Sequence, residues 1–82
     1  MILRIDRGHI QVRLGDKIAT IPGEMFSPGE GKTGFVVYLD QIDYWEPKAL
    51  KQPISSAEIT AITEDIKAEF SKHGHTVEFE SA

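Results

Sequence analysis

The chain has 82 residues, of which 40% are hydrophobic and 27% charged, and it contains no cysteine. A chain of this length is expected to form a single domain over residues 1–82. The proportions are typical of a soluble globular protein. Without cysteine, neither a disulfide nor a thiolate metal site can form. No run approaches the roughly 18 apolar residues of a membrane-spanning helix, so we expect a soluble, cytoplasmic protein.

The charge balance narrows the choice of partner. Nine basic and thirteen acidic side chains give a formal net charge of −4. Binding to nucleic acid depends on clustered lysine and arginine, so this balance argues against a nucleic-acid partner. An acidic surface suits a basic partner, although the same charge can serve only to keep the protein soluble.

The N-terminal third predicts an antiparallel meander. Residues 9–14 alternate between polar and apolar side chains, which is the period of a half-buried strand. Gly15-Asp16 has the composition of a two-residue hairpin turn. That turn places three pairs of residues opposite one another: Leu14 and Lys17, Val12 and Ala19, and Ile10 and Ile21.

The loop before this hairpin has two open interpretations. A two-residue loop at Arg7-Gly8 places Ile5 opposite Ile10. A type I turn followed by a bulge at Gly8 places Ile5 opposite His9 instead. The first interpretation predicts one apolar layer in which Leu3 faces Val12, and its members are Leu3, Ile5, Ile10, Val12, Ala19 and Ile21.

The middle of the chain predicts further strands separated by a loop. Pro22-Gly23 is expected to interrupt the third strand as a bulge or edge feature, because proline donates no hydrogen bond to a sheet. Residues 27–34 are rich in glycine and predict an exposed, mobile loop. The β-branched and aromatic residues of 35–39 predict a central strand. Residues 41–45 predict a short strand or an irregular continuation, which Pro47 ends.

A long amphipathic helix follows. Ser55 and Glu58 form a capping-box pattern, and Ile54 and Ile59 have the spacing of a hydrophobic staple. Gly74 predicts a left-handed residue just after the helix. The predicted apolar stripe consists of Ile59, Ile62, Ile66 and Phe70.

The last segment completes the predicted fold. Residues 76–80 alternate as a strand with Val77 and Phe79 facing inward, and the sequence leaves open whether it pairs parallel or antiparallel. We therefore predict an α+β fold with a mostly antiparallel sheet of about five or six strands. One helix in the C-terminal half covers one face of that sheet, and the terminal strand follows it.

No motif predicts a catalytic, cofactor-binding or metal site. Residues 29–33 resemble the end of a phosphate-binding loop, but Phe26 occupies the position of the first required glycine, and a strand follows where a helix is needed. His9, His73 and His75 lack the further ligands that a zinc site requires. We therefore predict a protein without a cofactor that is not an enzyme.

The best candidate for a binding surface follows the central strand. Three carboxylates recur there at every third residue, next to a tyrosine and the single tryptophan, residue types that are common at interface hot spots. Trp45 fits either a core position or an interface anchor, and the sequence leaves that choice open. The predicted partner-binding residues are Asp40, Asp43, Tyr44, Trp45 and Glu46.

Most of the chain resembles one protein family. The most particular features are Trp45-Glu46-Pro47, then Pro53-Ile54-Ser55 and the glycine-terminated helix. With them go Glu24-Met25, the glycine-rich gap, Phe35-Val36-Val37-Tyr38, Ile42 and Val77-Glu78-Phe79-Glu80. On these features the chain resembles the immunity protein 74 family, whose members are small bacterial α+β domains inferred to neutralise a toxin. The resemblance implies a cognate protein toxin as the partner.

Three alternative functions are therefore compatible with the sequence. The first is an inhibitor that binds a cognate toxin and covers its active site. The second is a small-ligand or metal-dependent enzyme that uses the glycine-rich loop and the carboxylates. The third is a structural module that extends its sheet by oligomerisation through an exposed edge. The sequence does not specify the oligomeric state.

Overall fold

A computed structural model describes residues 1–29 and 32–81 of the protein. Within these residues one five-stranded sheet has the order β1-β2-β3-β4-β5. The first four strands pair antiparallel, and β5 pairs parallel with β4. The predicted α+β fold is confirmed. The elements are β1 (Ile2–Ile5), β2 (His9–Leu14), β3 (Lys17–Gly29), β4 (Lys32–Tyr38), two 3-10 helices (Leu39–Gln41 and Lys48–Leu50), α1 (Ser56–Lys72) and β5 (Thr76–Glu80).

The β2–β3 hairpin has the predicted register. Gly15 adopts a left-handed conformation with φ of 66°, as a tight turn of this kind needs. Ile10 and Val12 of β2 and Ala19 and Ile21 of β3 are at most 1% exposed. All three predicted pairs are present: Leu14 with Lys17, Val12 with Ala19, and Ile10 with Ile21.

The register of β1 was predicted only in part. Ile5 pairs with Ile10, which confirms the first interpretation of the preceding loop. The pairing of Leu3 with Val12 was wrong, because an irregularity after Ile2 brings Ile2 opposite Val12. Such an extra residue reverses the alternation of side chains. Leu3, which lies at this irregularity, is 40% exposed. Ile5 keeps its predicted partner but is 38% exposed on the edge strand, so neither residue belongs to the buried layer.

Strand β3 is continuous and joins the two halves of the sheet. Residues 17–22 pair with β2, and residues 23–26 and 29 pair with β4. The interruption predicted at Pro22-Gly23 was therefore wrong. This dipeptide lies where the strand changes partners, and the Gly23 N–H donates to the carbonyl of Gly8 at 2.9 Å.

The predicted loop at residues 27–34 is also largely strand. Strand β3 extends to Gly29 and β4 begins at Lys32, with these two residues opposite each other. Glu30 and Gly31, which the sequence predicted as part of the loop and of the phosphate-loop resemblance, lie outside the described residues.

Helix α1 packs on one face of the sheet. Its capping box is present: the Ser55 hydroxyl accepts from the Glu58 N–H at 3.1 Å, and the Glu58 carboxylate accepts from the Ser55 N–H at 2.9 Å. Gly74 follows the helix with φ of 71°. Phe70 meets Phe35 of the sheet edge-on, with ring centroids 6.0 Å apart. Ile62, Ile66 and Phe70 are buried, whereas Ile59 is half-buried.

Candidate partner-binding surface

Trp45 belongs to the core. Its side chain is 1% exposed, and the indole Nε1 donates a long hydrogen bond of 3.4 Å to Glu58. The Lys17 ammonium lies 5.6 Å from the centre of the indole ring. The sequence left open whether Trp45 is a core residue or an interface anchor, and in the structure it is a core residue. The indole cannot anchor a partner without leaving the core.

Glu58 connects the helix to the segment that contains Trp45. Its carboxylate accepts from the Ser55 N–H and the Trp45 indole, and it lies 3.2 Å from the Lys17 ammonium. These contacts lower the pKa of Glu58 to about 2, with the Ser55 N–H as the largest cause. The sequence predicted only the capping role of Glu58, because Lys17 and Trp45 are distant along the chain.

We expect Glu58 to make stability depend on pH. Its pKa of about 2 lies below the ordinary 4.5, so the ionised carboxylate stabilises the folded state. This stabilisation is fully present above pH 4.5 and is lost as the pH falls towards 2. Urea unfolding at several pH values should therefore show that the stability difference between the wild type and Glu58→Gln shrinks as the pH falls.

Comparison with Glu58→Gln isolates this carboxylate from the others. Asp6 and Asp43 also have lowered pKa values, chiefly because backbone N–H groups donate to them, and both are retained in the variant. An equal stability difference at pH 3 and at pH 6 would contradict the assignment.

The other four predicted partner-binding residues lie on one segment after β4. Asp40 is exposed on the first 3-10 helix. Asp43 is exposed and lies 3.2 Å from the Lys48 ammonium. Tyr44 is half-buried, and Glu46 is exposed and accepts from the Thr20 hydroxyl. We call residues 40–46 the acidic loop.

The acidic loop is held by backbone hydrogen bonds to two other segments, residues 52–54 and strand β3. The Trp45 N–H donates to Gln52 at 2.9 Å, and the Ile54 N–H donates to Asp43 at 2.9 Å. The Glu46 N–H donates to Ile18 of β3 at 2.8 Å. The Trp45 side chain is buried in the core and adds to this anchoring. The loop is therefore preorganised, which reduces the conformational entropy that is lost when a partner binds.

Sequence reasoning missed a second surface on the face of the sheet opposite α1. Glu24 of β3 and Glu78 of β5 both lie directly beside Val36 of β4. In the next row, Tyr38 lies beside Glu80 and donates from its hydroxyl to Glu24 at 3.0 Å. Alternation in each strand placed these residues on one face, but only the strand pairing shows that they are neighbours.

This surface has an acidic electrostatic environment. The hydrogen bond to Glu24 is the largest cause of a raised Tyr38 pKa, and the negative charges of Glu24 and Glu80 add to it. A depression of about 440 Å³ lies here, lined by Glu24, Met25, Phe26, Val36 and Glu78.

The histidines lie elsewhere. His73 lies 3.0 Å from the Glu69 carboxylate, and its ring stacks with that of His75 at 6.4 Å between centroids. In the described part of the chain, no group of three or more potential ligands is arranged to hold a metal ion. No helix there is long and apolar enough to cross a membrane.

Comparison with known proteins agrees with the resemblance seen in the sequence. The model of a family described as Immunity protein 74 matches residues 2–80, which is nearly the whole chain. Neither the curated proteins nor the solved structures gave a match. The matched segment includes all five strands, the helix and the acidic loop. The chain belongs to the immunity protein 74 family.

Proposed function

We propose that this protein is an immunity protein that binds a cognate toxin and blocks its active site, without catalysing a reaction itself. The observation that carries the proposal is the family match over residues 2–80, since the family's description is an immunity role. The net charge of −4 and the preorganised acidic loop support a basic partner surface, such as the substrate cleft of a nuclease.

In this proposal the acidic loop contacts the toxin. The exposed carboxylates of Asp40, Asp43 and Glu46 face a basic cleft, and Tyr44 adds contact area at the same place. Trp45 holds the loop from below and does not touch the partner. The carboxylates attract a positively charged cleft over a distance and so speed the encounter of the two proteins.

Co-expression tests the function directly. The protein is produced together with the toxin encoded beside its own gene, and we expect growth of the host cells to be restored. Binding of the purified protein to a catalytically inactive form of the toxin should be measurable by calorimetry. Continued killing while the protein remains soluble and folded would contradict the proposal.

Asp40→Asn tests the contribution of the acidic loop. We expect association with the toxin to slow by about three- to tenfold and to depend less on salt, because an exposed charge at an interface acts mainly on the association rate. Stopped-flow mixing at several salt concentrations measures both effects.

Glu64→Gln is the matched control for this variant. It removes one negative charge from the exposed side of α1, where the Glu64 side chain is 66% exposed. We expect its association rate to stay close to that of the wild type. If the two variants slow association equally, the net charge matters and the acidic loop has no particular role.

A further inference from the structure

The open face of the sheet combines an apolar centre with an acidic border. Its central column is formed by β4, where Val36 and Tyr38 point away from α1 and are half-buried. Carboxylates border this column on both neighbouring strands. We call this surface the open-face patch, and its members are Glu24, Phe26, Val36, Tyr38, Glu78 and Glu80.

Phe26 gives the patch a flat apolar end. It pairs with Gly34 of β4, and a Cβ atom added at Gly34 would lie 2.5 Å from the Phe26 ring. The ring therefore lies across the strand in the space that a side chain at Gly34 would fill. Because Gly34 has no side chain, the Phe26 ring can occupy this space and form an aromatic surface beside Val36.

The two glutamates that flank Val36 can reach the same bound group. Glu24 and Glu78 lie on the strands to either side of β4, so their Cα atoms are about 9 to 10 Å apart. Both side chains leave the same face of the sheet on either side of Val36, so the two carboxylates can approach one group bound above it. In the described part of the chain, Glu24, Glu78 and Glu80 form no ion pair with a lysine or arginine.

We propose that the open-face patch binds a basic segment of the partner protein, with an arginine or lysine over Val36 between Glu24 and Glu78. This inference rests on the proposed function and adds a second contact surface to the acidic loop. Arginine suits the patch particularly well. Its planar head bonds carboxylates in a fork and stacks on aromatic rings, here those of Tyr38 and Phe26, while its aliphatic stem covers apolar surface.

A short peptide of alternating arginine and valine tests the patch without the toxin. It is titrated into the isotope-labelled protein while backbone amide signals are recorded, and a peptide with glutamate in place of arginine is the comparison. We expect saturable shifts at Val36, Tyr38 and Glu78 with the basic peptide only. Absent shifts, or shifts confined to other parts of the protein, would overturn the inference.

The double variant Glu24→Gln with Glu78→Gln locates the binding. It keeps the shape of both side chains and removes both charges, so we expect the peptide to bind at least about tenfold more weakly. The double variant Glu64→Gln with Glu69→Gln removes two charges from α1 and should bind the peptide like the wild type. Equal affinity in the patch variant and the wild type would overturn the inference. Amide spectra without peptide show that each variant is folded.

The toxin assay separates this inference from the proposed function. If the wild type and the patch variant neutralise the toxin with equal affinity, the patch is not a contact surface and the proposed function stands. If the wild type fails to neutralise the toxin but the peptide binds at the patch, the proposed function fails and the preference for a basic ligand stands. Self-association that the patch variant abolishes, measured by sedimentation, would overturn the inference in favour of a second copy of the chain.

Discussion

Trp45→Ala is expected to remove most of the free energy of unfolding of the protein. The side chain is 1% exposed, and truncating a buried tryptophan costs about 3 to 5 kcal/mol of unfolding free energy. A domain of this length has roughly 4 to 8 kcal/mol in total, so little stability remains. Urea unfolding followed by circular dichroism, with native amide spectra, measures the loss.

The matched control for this prediction is Leu50→Ala. Leu50 lies in the same connector between β4 and α1, but its side chain is 65% exposed. We expect its truncation to change stability by less than about 0.5 kcal/mol. A Trp45→Ala protein as stable as Leu50→Ala, but unable to bind the toxin, would contradict the core position and favour an interface anchor.

Gly23→Ala is expected to be the second most damaging single change. A Cβ atom at Gly23 would overlap the Phe35 ring and the backbone carbonyl oxygen of Val36. The ring can move by a small amount, but the carbonyl belongs to β4, which pairs with β3 at this point. We expect a loss of about 2 to 3 kcal/mol, the upper part of the range for forcing atoms into a packed core. Thermal and urea unfolding measure it.

Gly8→Ala is the comparison for Gly23→Ala. The two glycines are joined by a hydrogen bond, but a Cβ atom at Gly8 would have no neighbour within 4 Å. Its φ is also not in the left-handed region. We expect Gly8→Ala to leave stability unchanged or to raise it by up to about 1 kcal/mol, because alanine restricts the unfolded chain. Equal losses in both variants would show that close approach at Gly23 is not the cause.

The fold was predictable where neighbours in the chain determine the structure. The alternation on either side of Gly15-Asp16 determines the register of one hairpin, and the capping box at Ser55 determines the start of α1. Both rest on side chains a few residues apart. The prediction failed at β1, where one extra residue after Ile2 changed which side chains face the core. An edge strand with apolar residues at several positions does not specify its own register.

The candidate site was predictable to a smaller extent. The acidic loop was recognisable from the spacing of its carboxylates, and the structure adds the contacts that hold Asp43 and Glu46. The open-face patch could not be recognised, because Glu24 and Glu78 are far apart in the chain. Each glutamate alone is an ordinary exposed residue of a strand.

By itself the sequence determined the local elements of this protein, including the β2–β3 hairpin, the capped helix and its apolar stripe. These follow from periodicity and from residues with special backbone preferences. Only the tertiary structure decided which distant segments meet, because packing selects those contacts. It pairs β5 parallel with β4, gives β3 two different partners on either side of Pro22-Gly23, buries Trp45 under the acidic loop, and brings Glu24 and Glu78 to the same side chain.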